Sequence, residues 1–414
     1  MNDTEMEGVM KKNALKYTIA VMFDNIGSSL TTFILPLLVL DISGSAIHLS
    51  IIGVFTTLPF LIFGIPFGIF VDNANLKKIL NYSDLIRAVV YFVLGLIFLL
   101  DYTFTVQIIG IYFATLIASI INVLNSIAEV TFIPEITEEK DFNTMNSIIF
   151  GLQYISGIIM PVIGGYIYNH SNIYGIFFLN SVTYVFSALL IYKIKYQKEK
   201  KEEQNRRSAK DKYYRFLIDL KKGLFYLHGR MNIVFPLITV AIFNLLTANF
   251  QNNVLIFLKM NNSFDSSNVG FILAFATIGS LLGSLVSNKL TNTYSFKKLF
   301  LYNIVLQVFL RTIFFFVNHE IGYSLILFGV YLLSSILNIL IITNRQKQVE
   351  KEFLGRVNSI YKTVLIGVNS FGFLLGGLLI EYLGNNTAFQ LLMIIQFIFV
   401  LFFVPLGRKC LKKL

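Results

Sequence analysis

The chain has 414 residues, 55% of them hydrophobic and only 14% charged, with a mean hydropathy of +0.69. A water-soluble domain of this length needs more charge to cover its surface, which argues against a soluble enzyme or binding module. The net charge of +11 is read as an excess on the loops at one side of a membrane rather than as a nucleic-acid surface, so no nucleic-acid partner is expected.

Residues 1–14 are polar and read as an N-terminal tail carrying Lys11 and Lys12. The apolar run that follows is longer than a signal-peptide core and precedes many more such runs, so no cleavage is expected. A membrane span needs about 20 apolar residues. Apolar segments at 15–40, 48–71, 79–100, 105–133, 143–168 and 173–194 are predicted helices that form an N-terminal bundle over 15–194.

In the first segment Asp24 is followed by Asn25, Ser28, Ser29, Thr31 and Thr32, and helical spacing puts Asp24 and Ser28 on one polar stripe. A charge at the centre of a span costs roughly 2.5–3.5 kcal/mol, so each such residue is a candidate for function. Asp24 has two readings: a proton-exchanging carboxylate, or a static hydrogen-bonding or cation-recognition group.

The second segment contains Gly64 and Gly68 and leads to Lys77 and Lys78; in the third, Asp84 and Arg87 stand three apart and pair locally. In the fourth, Asn122, Asn125, Ser126 and Glu129 follow i, i+3, i+4, i+7 spacing and share a face. Glu129 is read either as a second proton or cation site or as an ion-pair partner of Arg87 or the Lys77–Lys78 cluster. The fifth segment carries Gln153 and Tyr154 as candidate pathway residues, then Pro161, Gly164 and Gly165.

A linker over 195–231 is dense in Lys and Arg, and YYRFLIDLKKGLFYL suggests a short amphipathic helix around 212–227. It is read either as lying at the lipid headgroups or as a solvated connector. Segments at 232–258, 267–290, 298–317, 321–344, 356–383 and 387–406 form a C-terminal bundle over 232–406, followed by a basic tail at 407–414.

The seventh segment is unusually polar, with Asn244, Thr247, Asn249, Gln251, Asn252 and Asn253. The eighth repeats the glycine pair as Gly279 and Gly283, and the eleventh carries Gly372, Gly376 and Gly377. That recurrence suggests duplicated halves, with the glycines acting as helix-packing positions. Arg311 is placed mid-span in the ninth segment, where it either binds backbone carbonyls or meets an anionic substrate. Asn338 in the tenth is a further pathway candidate, and Lys362 in the eleventh can snorkel towards the basic side.

Lys and Arg fall almost wholly on alternate loops, so both termini are expected in the cytoplasm. The lone cysteine, Cys410, forms no internal disulfide, and neither metal nor cofactor is expected. Abundant Ile, Lys, Asn and Phe suit an AT-rich bacterial genome, and a multi-pass protein of the cell membrane.

Twelve spans in a six-plus-six arrangement, together with GIFVDNANLKK at 68–78, resemble the major facilitator superfamily. Gly68, Asp72, Lys77 and Lys78 match its signature loop, while Asn73 and Asn75 depart from it. SGIIMPVIGG at 156–165 resembles the drug-antiporter motif, with Met160 in place of a glycine. Stretches 132–148 and 355–384 resemble the macrolide-efflux and siderophore-exporter branch. The resemblance implies an all-α membrane protein of two pseudo-symmetric six-helix bundles. It also implies that Asp72 caps a neighbouring helix beginning near Arg356, and that the first and seventh helices line a central cavity, where the polar run of the seventh together with Gln153, Tyr154 and Asn338 is the candidate substrate pathway. No phosphate-binding GKS/GKT loop is present, so the expected function is proton-coupled efflux of an amphipathic small molecule by a monomer. A nutrient importer or uniporter of the same fold is the alternative.

Overall fold

The computed structural model describes residues 3–138, 141–196, 218, 221–261 and 264–411. Among them the chain forms α1 (Asp3–Ser43), α2 (Ala46–Asn73), α3 (Leu76–Leu99), α4 (Phe104–Ile136), α5 (Phe142–His170) and α6 (Ile173–Tyr192). There follow α7 (Met231–Ile256, continued by a π-helical turn at Phe257–Asn261), α8 (Ser266–Thr293), α9 (Phe296–Phe314), α10 (Glu320–Gln348), α11 (Lys351–Leu383) and α12 (Asn385–Cys410). Backbone in lipid must satisfy its own hydrogen bonds, which is why apolar sequence of this length folds as helix throughout. All seven prolines lie inside these helices.

Eleven of the helices are long and apolar enough to cross a membrane. The twelfth, α9, has 19 residues and carries Lys297, Lys298 and Arg311 at its two ends. This is the expected multi-pass, twelve-helix architecture. Two details differ from expectation. The tail at 1–14 is helical from Asp3, because α1 begins far ahead of its apolar run. Arg311 is not mid-span but in the last turn of α9, since the helix ends at Phe314 rather than near 317.

Two compact units result: Met1–Ile42 with Leu58–Tyr214, and Ser43–Thr57 with Arg215–Leu414. In the first, Tyr17, Phe132, Ile133 and Ile136 form a core where α1 and α4 meet. The start of α1 is fastened to the end of α6: Asn13 donates to the Lys195 carbonyl (2.7 Å) and accepts from the Lys195 N–H (3.1 Å). Tyr196 donates to Glu135, and the Lys77 ammonium lies 5.4 Å from the Tyr192 ring centre. These contacts gather the Lys-rich connections at one end of the unit, the basic end. At the other end Tyr168 donates to Asp41 (2.8 Å).

In the second unit, α8 lies so close to α10 that a Cβ at Gly279 or Gly283 would run into the Phe328 or Leu332 carbonyl. Gly372 meets the Leu245 carbonyl in the same way, and Asn244 donates to the Leu365 carbonyl (3.1 Å), joining α7 to α11. The two glycine pairs that echo each other in sequence have different surroundings among the described residues. Among the described residues nothing stands within 4 Å of where a Cβ on Gly68 would be, in contrast to Gly279 and Gly283.

Residues 221–227 are helical and dock on this unit: Tyr226 and Leu227 are buried and Tyr226 stacks on Phe353 (4.4 Å). Tyr226 also accepts from the Glu350 N–H (3.1 Å). Leu224 and Phe225 face outward. The rest of the expected amphipathic helix, apart from Ile218, lies outside the described residues.

Candidate functional site

The first unit centres on Arg87. On α3 the residues Ser83, Asp84, Arg87, Ala88, Tyr91, Leu94 and Gly95 recur at helical spacing and are buried, while Leu85, Ile86, Val89, Phe92 and Val93 form the exposed, lipid-compatible face. Both charges therefore point inward. α6 is drawn against this face by the Ser181 hydroxyl, which donates to the Ala88 carbonyl (2.7 Å). α1 approaches α6 where Gly27 has no side chain: a Cβ there would stand 2.5 Å from the side-chain oxygen Oδ1 of Asn180 and 2.6 Å from the Thr183 hydroxyl. That close approach turns Asp24 and Ser28 towards α3.

Arg87, 2% exposed, makes ion pairs with both Asp24 and Asp84, and its Nη1 donates to Ser28 (3.4 Å). Its guanidinium carbon lies 4.4 Å from the Tyr184 ring centre, and Tyr184 stacks on Tyr91 (5.8 Å). The Tyr184 hydroxyl and Ser28 are hydrogen-bonded at 3.1 Å. Guanidinium suits this role because its donors form a planar fork and its faces accept aromatic rings.

Glu129 on α4 is half-buried and within electrostatic range of Asp24, Arg87, Asp84 and Tyr17. It makes no ion pair with Arg87 or with Lys77 and Lys78; Arg87 is taken by Asp24 and Asp84. Polar atoms on its own face and on α1 are also without hydrogen-bond partners among the described residues: Asn125 Oδ1, Asn25 Nδ2 and the Tyr17 hydroxyl. The cluster holds three carboxylates, Asp24, Asp84 and Glu129, against one guanidinium. If all were ionised it would carry two uncompensated negative charges in an apolar setting, where charge is expensive. Chemically it is a site that attracts a proton or a cation. The described residues include no group of three or more His, Cys, Asp or Glu suited to a metal ion.

The second unit carries a separate polar column. Asn303 donates to the Leu333 carbonyl (2.9 Å), Gln307 donates to Asn303 (2.7 Å), and Arg311 donates to Gln307 (3.0 Å). Ser334 donates to the same Gln307 oxygen (3.0 Å). Asn303 and Gln307 were not singled out in the sequence, although the i, i+4, i+8 spacing with Arg311 puts all three on one face of α9. Tyr184 and Tyr91 carried no such signal.

The remaining candidates are dispersed. Asn122, Gln153 and Asn338 are exposed, and Tyr154 is half-buried. The side chains of Asp72, Asn249 and Gln251 lie outside the described residues. Gly164 on buried α5 backbone packs on Leu30, Phe33 and Ile34 of α1, beside buried Pro161 and Gly165. Gly377, beside buried Gly376, takes Ser50 and the Ala46 carbonyl of α2 against α11. Lys78 donates its backbone N–H to the Asn75 cap of α3 (3.0 Å).

The sequence model of one family, described as transmembrane secretion effector, matches residues 12–409. No curated protein matches the chain in sequence. Among solved structures, a mutant of the nucleoside transporter NupG is similar over 96% of this chain and 100% of its own, with a TM-score of 0.77 and 14% identity. A bacterial homologue of the human lysosomal transporter Spinster, inward-facing and unoccupied, covers 100% of this chain and 99% of its own (TM-score 0.72, 13% identity). A bacterial homologue of the iron transporter ferroportin covers 97% and 100% (TM-score 0.65, 12% identity). At these identities the likeness is one of fold.

Proposed function

The chain belongs to the transmembrane secretion effector family, within the major facilitator superfamily, and from that membership we propose that it is a proton-coupled exporter of an amphipathic small molecule. It is a membrane transporter and not an enzyme. The observation that carries the proposal is the surplus of carboxylate around Arg87. Asp24 and Asp84 share one guanidinium, and Glu129 has no partner among the described residues, so one proton arriving at Glu129 relieves a repulsion felt across α1, α3 and α4. A ligand shifts a conformational equilibrium only through differential affinity for its two states. A proton held more tightly in one access state than in the other supplies that difference, and alternating access turns it into transport.

Export is favoured by the family's description as a secretion effector. The basic end faces the cytoplasm by the distribution of Lys and Arg, in the cell membrane of a bacterium, and the chain works as a monomer. An importer or uniporter remains the second reading, because the nucleoside transporter NupG shares the fold.

The test is uptake into everted membrane vesicles of a macrolide, a cationic dye and a siderophore, each with and without an imposed proton gradient. Gradient-dependent accumulation of at least one, abolished by a protonophore, supports the proposal. Transport that is insensitive to the gradient favours the uniporter.

A further inference from the structure

Arg311 is 5% exposed, yet no ion pair joins it to a carboxylate among the described residues. The acids nearest in sequence to the same end of the second unit are otherwise engaged. Asp265 caps α8 by accepting from the Asn268 N–H (2.8 Å), Glu320 accepts from the Asn268 side chain (3.2 Å), and Glu381 accepts from Ser45 (3.2 Å). The C-terminal turn of α9 offers the cation a favourable dipole, worth a fraction of the cost of burying it.

The hydrogen-bond column fixes the orientation of this guanidinium. Gln307 donates to Asn303, so its oxygen is the end presented to Arg311 and Ser334. Arg311 thereby spends one Nη2 donor. Its guanidinium carbon lies 4.8 Å from the Phe243 ring centre and 5.4 Å from that of Phe250, both on α7. Its Nε and Nη1 are buried and have no hydrogen-bond partner among the described residues. A guanidinium has five N–H donors, and each of its two forks pairs one Nη2 hydrogen with one on Nε or Nη1. Whichever Nη2 hydrogen Gln307 takes, one complete fork is left over. A complete fork flanked by aromatic rings is the geometry that recognises a planar carboxylate in two parallel hydrogen bonds.

The geometry points to Arg311 as the receptor for a carboxylate on the transported molecule, with Phe243 and Phe250 against the apolar part beside it. The inference rests on the export reading above and narrows its substrate to amphiphiles bearing a carboxylate. Gln307 is a positioning residue: it touches Arg311 and not the ligand.

The test is equilibrium binding of 11-(dansylamino)undecanoic acid and of its methyl ester to the purified full-length chain in detergent, read by dansyl fluorescence. The acid is expected to bind at least tenfold more tightly than the ester. Arg311→Gln should abolish that preference, and Arg311→Lys, which keeps the charge but not the fork, should reduce it several-fold. Size-exclusion profiles identify a variant that fails to fold, in which case Arg311→Lys carries the test. Equal binding of acid and ester by the wild type, or an acid preference unchanged in Arg311→Lys, overturns the assignment. So does displacement of the acid from wild type by chloride as readily as by acetate. Proton-coupled efflux in vesicles with no acid preference would remove this inference alone. An acid preference without proton coupling would remove the export mechanism and leave the receptor.

Discussion

Arg87 on α3 holds Asp24 on α1 in an ion pair inside the first unit, although sixty-three positions separate them in the chain. The same guanidinium holds Asp84 one turn away on its own helix. Removing one member of a buried pair leaves the other charge uncompensated, at roughly 3–5 kcal/mol. Arg87→Met should therefore lower the thermal midpoint of the detergent-solubilised protein substantially. Adding Asp24→Asn to the same chain should restore part of the loss, since one stranded carboxylate is then neutral. Thermal unfolding followed by size-exclusion checks this, and a wild-type midpoint for Arg87→Met would show that the pair does not form.

The glycine positions give a second contrast. At Gly279 a Cβ meets the Phe328 backbone, which cannot swing aside as a side-chain tip can, so Gly279→Ala should cost about 1–3 kcal/mol. Gly68→Ala, with open space at its Cβ among the described residues, should stay within about 0.5 kcal/mol of wild type. Melting of the two variants side by side decides it.

A third concerns the docked segment at 221–227. Tyr226 stacks on Phe353, bonds to the Glu350 N–H and donates to the Glu350 carboxylate (3.4 Å). Tyr226→Ala removes the ring and both bonds, a loss of about 3 kcal/mol or more for the docking of this segment. Limited trypsin digestion should then cut faster at Lys221 and Lys222, while Tyr226→Phe should be cut at an intermediate rate.

These relationships were unequally legible in the sequence. Twelve apolar runs with Lys and Arg on alternate loops are a local signal, and so is the Asp84–Arg87 spacing within one helix. The partner of Asp24 was not legible: it depends on Gly27 letting α1 close on α6, which is a tertiary fact. Arg311 was misplaced because Phe315, Phe316 and Val317 extend the apolar run beyond the end of α9, so hydropathy overstates the helix. Asn303 and Gln307 had a readable spacing, but neutral amides inside an apolar segment attract less notice than charges. The Gly64–Gly68 echo of Gly279–Gly283 was visible, yet among the described residues only the second pair meets a neighbouring backbone.

The central claim is that Glu129, without an ion-pair partner among the described residues and beside the Arg87 cluster, carries the coupling proton. Glu129→Gln mimics the protonated state permanently, so in vesicles it should still exchange labelled substrate for unlabelled substrate at about the wild-type rate. It should fail to accumulate that substrate against a gradient when a pH difference is imposed. Exchange with no gradient-driven accumulation is the predicted result; accumulation equal to wild type would contradict the account.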